Sequence, residues 1–254
     1  MTLKFSHREK DATTHGLLHP LLHHASAILF DAGGTLVHPD WLRLAEVVKD
    51  ETGRNFPVIQ MRQAFCEVIR RIDLQLQVSN VRASKLTRRM HWSFLEVFAL
   101  LGLTGSAAMK VNERLDLEHR RKHLWCKPDN VIRELLFHLR GTGRRLAVIS
   151  NTEDGRLEES LNVANIASQF EFLIDSHIVG VRKPAAEIFH LALTKLLVRP
   201  NEAVYIGDSY GHDIVGAQRA GLHAILLDPL GLYDNIKCPR IVTLDALIDY
   251  DRLK

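Results

Sequence analysis

The sequence has few cysteines and no long apolar run, and both scarcities limit the kinds of protein it can be. Its three cysteines, Cys66, Cys126 and Cys238, are far apart and show no paired spacing, which argues against a disulfide framework or a zinc site. No run reaches the roughly 18 apolar residues that span a bilayer, and the N-terminal segment lacks the apolar core of a signal peptide. We therefore expect a soluble protein of the reducing cytoplasm.

A strong excess of charge is also missing. The formal net charge is +3 over 254 residues, which gives little reason to expect nucleic acid or an anionic membrane as the main partner. Basic residues do form two local groups. Because acidic residues are interleaved with them, we interpret these groups as solvated helix faces. The alternative is a surface that attracts an anionic substrate. These groups are Arg82, Lys85, Arg88 and Arg89, and Arg120, Arg121 and Lys122.

The N-terminal segment, residues 1–24, has no sustained hydrophobic period. It contains His7, His15, His19, His23 and His24 at irregular spacings. A metal-binding tail would need more regular spacing, so we expect a poorly ordered terminus without a function of its own.

From Pro128 onward, short apolar runs alternate with segments of helical period. This alternation is typical of βαβ units and predicts an α/β fold with a Rossmann-like, mainly parallel sheet and helices on both faces. The length and the 46% apolar composition are sufficient for a large packed core. We place the core at residues 25–39 and 126–254.

Between these two parts of the core lies a long helical stretch. Apolar residues recur there at intervals of three and four, which is the period of one helix face. Shorter helices are expected to end near Gly53 and Gly102. Residues 40–125 therefore form a predicted all-helical insertion, with one face made by Val58, Met61, Phe65, Ile69, Ile72 and Leu76.

Polar residues follow three of the strand-like runs directly. Asp31 comes after the apolar run 27–30, Ser150 and Asn151 follow 146–149, and Gly207 and Asp208 follow 203–206, with Asp213 five positions after Asp208. In parallel sheets ligands gather at the carboxyl ends of the strands. We therefore expect these side chains to meet at one edge of the sheet.

These polar residues belong to four short motifs that follow one another along the chain: DxxGTL from Asp31, the Ser150-Asn151 pair, the Lys183-Pro184 pair, and GDSxxxD ending at Asp213. Each motif alone is weak, but together they resemble the haloacid dehalogenase-like (HAD) superfamily. Its best-represented members are magnesium-dependent phosphatases that act through an aspartyl-phosphate. The resemblance also implies that the helical insertion is a cap and that a small phosphorylated substrate binds between cap and core.

The resemblance implies a role for each matching residue. Asp31 would be the nucleophile, because a carboxylate can form a covalent intermediate, and Ser150 and Lys183 would stabilise the transferred group. Magnesium prefers oxygen ligands, which would come from Asp31, the Gly33 carbonyl, Asp208 and Asp213. Alternatively, Asp213 would not contact the ion and would instead support the residues that bind it. Phosphate-binding residues would be Gly34, Thr35, Ser150, Asn151 and Lys183.

Gly33 departs from the pattern of the phosphatases, which carry a second aspartate at this place as general acid and base. Glycine can do neither, and such help is typically worth about 10²–10⁴ in rate. Three interpretations follow. In the first, the substrate carries a good leaving group, as acyl phosphates, aryl phosphates and anhydrides do. In the second, His38 replaces the missing acid. In the third, the chain is a binding or regulatory protein.

Relatives that cleave phosphonates or haloacids also lack this aspartate. The haloacid enzymes need no metal, whereas the stretch around Asp208 resembles the metal-binding version, so dehalogenation is the least favoured. Phosphonate cleavage needs a cap lysine, and no local motif singles one out among Lys49, Lys85 and Lys110.

Overall fold

The computed structural model describes residues 18–78 and 94–248, and its centre is a six-stranded parallel sheet in the order β5-β4-β1-β6-β7-β8. A separate antiparallel ribbon joins β2 to β3. The predicted α/β fold with a mainly parallel sheet is confirmed. The strands are β1 (Ala27–Phe30), β2 (Val37–Pro39), β3 (Trp125–Pro128), β4 (Arg145–Ser150), β5 (Leu173–Asp175), β6 (Ala203–Gly207), β7 (His223–Leu227) and β8 (Arg240–Ile241).

Helices cover both faces of this sheet. The central strands are buried on both sides, which explains why they are almost wholly apolar in sequence. Phe30 of β1 packs in a cluster with helices α5 and α6, whereas its neighbour Leu29 packs in the opposite cluster with α8 and α9. These core helices are α5 (Ile132–Gly141), α6 (Leu157–Val163), α7 (Ser176–Val179), α8 (Ala186–Leu196) and α9 (Val215–Arg219).

The cap has its own hydrophobic cluster, centred on the fully buried side chains of Leu44, Met61 and Phe98. The first helix ends as predicted at Gly53, whose φ of 69° closes it in the left-handed conformation. No helix within the described ranges is long and apolar enough to cross a membrane. The cap helices are α1 (Trp41–Thr52), α2 (Val58–Val78), α3 (Leu95–Leu100) and α4 (Gly105–Arg121).

The ribbon of β2 and β3 carries the chain from the core into the cap and back again. His38 pairs with Lys127, and Val37 with Pro128. The sequence analysis did not predict this ribbon, because each strand is short and contains a proline. It brings both connections together beside the carboxyl end of β1.

The predicted poorly ordered terminus needs correction where the structure describes it. Leu18 and Leu22 are buried in the core, and the backbone N–H of His19 donates to the Leu247 carbonyl at 2.9 Å. Arg144 holds the Leu22 carbonyl with its guanidinium at 2.7 Å. Residues 18–24 are therefore part of the core, while His7 and His15 lie outside the described residues.

Candidate active site

Asp31 lies where β1, the strand between β4 and β6, ends. Its backbone N–H still donates to the Ile206 carbonyl at 2.8 Å, so the sheet fixes the position of its backbone. Its side chain is buried, and one carboxylate oxygen accepts from Lys183 Nζ at 2.6 Å. The most interior strand thus presents a fixed carboxylate at the sheet edge.

Lys183 joins this carboxylate to a second one. Its Nζ, which is almost fully buried, donates to Asp31 at 2.6 Å, to Asp213 at 2.7 Å and to the Tyr205 hydroxyl at 2.8 Å. An ammonium has three protons, so all of its donors are satisfied. Burial opposes the charge, but Asp213 and Asp31 outweigh it and raise the pKa of Lys183. The Tyr205 hydroxyl in turn donates a hydrogen bond to the Ile149 carbonyl at 2.9 Å.

Three carboxylates converge at this point: those of Asp31, Asp208 and Asp213 offer oxygens that all lie within 4.8 Å of one another. Burial raises the pKa of Asp31 to about 6, with Lys183 lowering it and Asp213 raising it. Burial, followed by the charges of Asp31 and Asp213, raises the pKa of Asp208 well above its usual value. Such a set of crowded oxygen donors fits a hard divalent cation, which would relieve their mutual repulsion.

The two downstream aspartates differ in how far they are engaged. One oxygen of Asp213 accepts from Lys183 and the other from the Ser209 N–H at 3.0 Å. Among the described residues, none donates a hydrogen bond to the Asp208 carboxylate. Asp208 therefore has free oxygens for a cation. Both oxygens of Asp213 already accept hydrogen bonds, which favours a supporting role for Asp213 over direct contact with the ion.

The loop after Asp31 folds tightly on itself. The Ala32 carbonyl accepts from the N–H groups of Leu36 and Val37 at 2.8 and 2.9 Å, and the Gly34 N–H donates to the Val37 carbonyl at 2.8 Å. The Thr35 hydroxyl lies 3.4 Å from Asp31 Oδ2. Gly34 and Thr35 therefore shape the loop, and the phosphate-binding roles expected for them from the sequence stay predictions.

The backbone of Gly34 also packs closely against the Asp208 carboxylate. Its φ is +89°, and a Cβ built on it would lie 2.0 Å from Asp208 Oδ2. The glycine leaves room for a carboxylate that would otherwise be displaced.

At the end of β4, the neighbours Ser150 and Asn151 have different contacts. Ser150 is buried at the wall of the cavity described below. Asn151 uses its amide on the Lys183 backbone, accepting from its N–H at 2.9 Å and donating to its carbonyl at 3.0 Å. The Asn151 amide thus holds the Lys183 backbone in place, and the phosphate contact expected from the sequence stays a prediction.

A cavity of about 620 Å³ opens above these residues, between core and cap. Its core wall contains Asp31, Ser150, Lys183 and Asp208, and its cap wall is partly apolar and partly polar, the polar part including Asn112, Asp116, His119, Arg120 and His123. The apolar lining includes Val37, Phe65, Ile69, Ile72, Phe94 and Trp125.

Comparison with known proteins identifies the family. Residues 58–227 match the model of the haloacid dehalogenase-like hydrolases. The chain belongs to this family. It is 34% identical over 150 residues to the haloacid dehalogenase-like hydrolase domain-containing protein 3 of Xenopus laevis, with 58% of this chain and 61% of that protein covered. It is also 34% identical over 110 residues to a glyceraldehyde 3-phosphate phosphatase of Methanothermobacter thermautotrophicus, with 43% and 49% covered.

The chain therefore spans roughly half to three fifths of the length of these curated relatives. A solved HAD phosphatase from Thermococcus onnurineus shares the fold, with a TM-score of 0.53 and 24% identity over 86% of this chain and 94% of that one. The chain is thus a member of the haloacid dehalogenase-like hydrolase family that has phosphatases among its relatives.

In this hydrolase, His38 does not face the cavity. Val37 lines the cavity, and because side chains alternate along a strand, its neighbour His38 points to the other side. There its Nε2 lies 3.9 Å from Asp129 Oδ2. The structure therefore does not support His38 as a replacement for the missing acid.

The space beside Gly33 is filled by an indole. A Cβ on Gly33 would lie 3.2 and 3.3 Å from two ring carbons of Trp125, which is tighter than an ordinary contact. The Trp125 ring packs in turn edge-to-face on Phe65 of the cap, with centroids 5.4 Å apart. An apolar ring thus stands where an aspartate at position 33 would project, a relationship that no local sequence signal indicates.

Sequence reasoning also missed a polar cluster at the cavity mouth, where His119 of the cap meets Asp154 of the core at 2.9 Å. His119 Nδ1 accepts from the Leu124 N–H at 3.1 Å, so its proton lies on Nε2 and points to Asp154. That nitrogen is engaged as a donor and is not available as a metal ligand. Arg156 reinforces the junction by donating to the His119 carbonyl at 3.0 Å.

The candidate basic groups and lysines are only partly at the site. Arg120 lines the cavity, whereas Arg121 is exposed and pairs with Glu118. Lys49 and Lys110 are exposed, and neither is among the described residues that line the cavity. Lys122 is exposed as well. Arg82, Lys85, Arg88 and Arg89 lie outside the described residues.

Proposed function

We propose that this hydrolase is a magnesium-dependent phosphohydrolase that works through an aspartyl-phosphate on Asp31. The observation that carries the proposal is the convergence of Asp31, Asp208 and Lys183 at the wall of one cavity. The phosphatase relative supports a small phosphorylated substrate, and the cavity volume of about 620 Å³ suits one.

The reaction has two displacements. A carboxylate oxygen of Asp31 attacks phosphorus, the bond from phosphorus to the leaving group breaks, and the leaving group departs with the bonding electrons. Water then attacks the phosphorus of the aspartyl-phosphate, which releases phosphate and restores the carboxylate. Dividing one hard displacement in two is the advantage of a covalent intermediate.

The residues around Asp31 have separate tasks in this scheme. Asp31 and Asp208, with the Gly33 carbonyl, would hold magnesium, which when bound offsets the repulsion between carboxylate and phosphoryl group and aligns that group. The Ser150 hydroxyl would donate to a phosphoryl oxygen. Lys183 keeps Asp31 in its attacking position, and Asp213 keeps Lys183 charged.

The surroundings of Gly33 support a substrate with a good leaving group. Trp125 covers the place where an acid at position 33 would project, and His38 faces away from the cavity. The aryloxide of an aryl phosphate, or the carboxylate of an acyl phosphate, departs as a weak base and needs little protonation. The apolar part of the cap wall, which includes Phe65, Ile69 and Trp125, would also accommodate an aromatic or aliphatic body.

The test is a substrate screen with wild type, Asp31→Asn and Asp208→Asn. Candidate substrates are p-nitrophenyl phosphate, acetyl phosphate, an alkyl phosphate, a phosphonate and a 2-haloacid. Asp129→Asn, which alters an acid outside the cavity, serves as the control. We expect aryl or acyl phosphate to be the best substrate, Asp31→Asn to abolish turnover, and Asp208→Asn to require more magnesium.

The outcomes separate the alternatives. Wild-type rates in Asp31→Asn would reject the proposed nucleophile. Turnover confined to the phosphonate or the haloacid would assign the chain to another reaction. Binding of metal and phosphate without turnover of any substrate would favour the binding or regulatory interpretation, for which the missing acid is the motivating observation.

A further inference from the structure

A carboxylate of the cap is bound inside the core. Asp73, near the end of α2, has no exposed surface. It accepts hydrogen bonds from the Ser209 hydroxyl at 2.6 Å, the Tyr210 N–H at 2.7 Å and the Gly211 N–H at 2.9 Å. The Tyr233 hydroxyl donates to it as well. Four core donors therefore converge on a single side chain of the inserted domain.

Three of those donors belong to the segment that separates Asp208 from Asp213. Ser209 begins a π-helical turn, Tyr210–Ile214, and its carbonyl accepts from the Asp213 N–H at 2.9 Å while its N–H donates to the Asp213 carboxylate at 3.0 Å. Whatever holds residues 209–211 therefore sets where both aspartates point.

The fit between Asp73 and this turn is close. A Cβ at Gly211 would lie 2.9 Å from Asp73 Oδ1, so the turn approaches the carboxylate as closely as glycine permits. Both oxygens are used, Oδ1 by Ser209 and Gly211 and Oδ2 by Tyr210 and Tyr233. A side chain without two acceptor oxygens would leave buried donors unpaired, which is costly.

We propose that Asp73 is a positioning residue that couples docking of the cap to the geometry of Asp208 and Asp213. The inference rests on the proposed function, in which Asp208 holds the metal. Coupling between two equilibria is reciprocal. A docked cap strengthens metal binding, and metal binding strengthens docking of the cap over the cavity.

The experiment compares Mn²⁺ binding, measured by electron paramagnetic resonance without substrate, in wild type and four variants. Asp73→Asn removes one acceptor oxygen and places a donor against donors. Ser209→Ala removes one donor of the turn and is a milder probe. Tyr233→Phe removes a donor to Asp73 that lies outside the turn. Glu67→Gln alters an acid of the same helix that pairs with Arg70 and Arg71.

A positioning role and a merely structural one give different results. We expect Asp73→Asn to weaken Mn²⁺ binding about tenfold, Ser209→Ala to weaken it less, and Glu67→Gln to leave it unchanged. Tyr233→Phe should lower stability but change metal affinity less than twofold. Amide hydrogen exchange at Tyr210 and Gly211 should accelerate in Asp73→Asn and slow again when Mn²⁺ is added.

Two outcomes would overturn the inference, and they are distinguishable. If wild type binds Mn²⁺ and both Asp73→Asn and Ser209→Ala bind it equally well, the positioning role is wrong while the proposed function stands. If wild type itself binds no Mn²⁺, the metal site of the proposed function fails together with the coupling.

Discussion

Lys183 Nζ lies 2.6 Å from a carboxylate oxygen of Asp31, and both groups are buried. The same ammonium lies 2.7 Å from Asp213. One positive charge thus pairs with two carboxylates, and all three side chains are buried. The proposed nucleophile is held by an ion network that is also part of the structure of the core.

Replacing Lys183 by methionine should therefore damage stability as well as activity. The substitution leaves two buried carboxylates without their counter-ion, and removing one partner of a buried ion pair typically costs about 3–5 kcal/mol. Urea unfolding should show this loss, and Lys237→Met, at an exposed lysine, should show almost none. Lys183→Met/Asp213→Asn should recover part of the stability but no turnover. A double variant as unstable as the single one would contradict this account.

Gly34→Ala should disturb the candidate metal site in a way that backbone strain alone does not explain. The added Cβ would lie 2.0 Å from Asp208 Oδ2, so Asp208 must move. Gly143→Ala is a matched control, because its φ of +80° is similar to the +89° of Gly34 but nothing lies within 4 Å of its Cβ.

The control should lose only the cost of the left-handed conformation, about 1 kcal/mol. Gly34→Ala should lose clearly more in thermal unfolding and should also weaken Mn²⁺ binding. Equal losses in the two variants, with metal affinity intact, would show that the closeness of Gly34 to Asp208 is unimportant.

The sequence indicated which strand ends would meet because each has a local pattern, an apolar run followed by a polar residue. Asp31, Ser150 and Asp208 are accordingly found along one edge of the sheet. The contacts of Asn151 could not be predicted in the same way. Its partner Lys183 is 32 positions away, and the amide suits a phosphate as well as a peptide group.

Relationships across the cap were also hidden from the sequence. Asp73 lies in a helical period in which its neighbours are ordinary cap residues, and nothing local distinguishes it from a solvated acid. Its donors are more than 130 positions further along the chain. Trp125 reaches Gly33 only because its strand, β3, pairs with β2. Both depend on how the inserted domain docks.

His123 should make the protein less stable in acid. Burial, followed by the electrostatic effect of the neighbouring His119, lowers the pKa of His123 from 6.5 to about 4. Because the folded pKa lies below the unfolded one, the neutral ring contributes stability above pH 6.5, and that contribution is lost as pH falls towards 4. A pKa difference of this size corresponds to about 3 kcal/mol.

His123→Gln removes the titrating ring and should flatten this dependence. The measurement is the free energy of unfolding in urea of wild type and variant at pH 7.5, 5.5 and 4. The result is the change with pH in the difference between these two free energies. The wild type should lose more stability than the variant between pH 6.5 and 4. Parallel curves would show that burial of His123 does not govern the acid response.

Restoring an aspartate at position 33 should not by itself restore acid catalysis. The backbone accepts a side chain there, since Gly33 does not have a positive φ, but the Trp125 ring is only 3.2 Å from the new Cβ. Gly33→Asp alone should therefore gain little on alkyl phosphates. Gly33→Asp/Trp125→Leu opens the space and should raise the ratio of alkyl to aryl phosphate turnover by about 10² or more, as general acid help would.

The dependence of kcat/KM on the pKa of the leaving group gives the sharper measurement. With no acid at position 33, the rate should fall steeply as the leaving group becomes more basic, both in wild type and in Trp125→Leu. A working acid protonates the departing oxygen and should make that slope shallow in Gly33→Asp/Trp125→Leu. Gly33→Asn/Trp125→Leu has nearly the same shape but no proton to give, so its slope should remain steep. If the two double variants have the same slope, the missing proton donor does not limit this hydrolase.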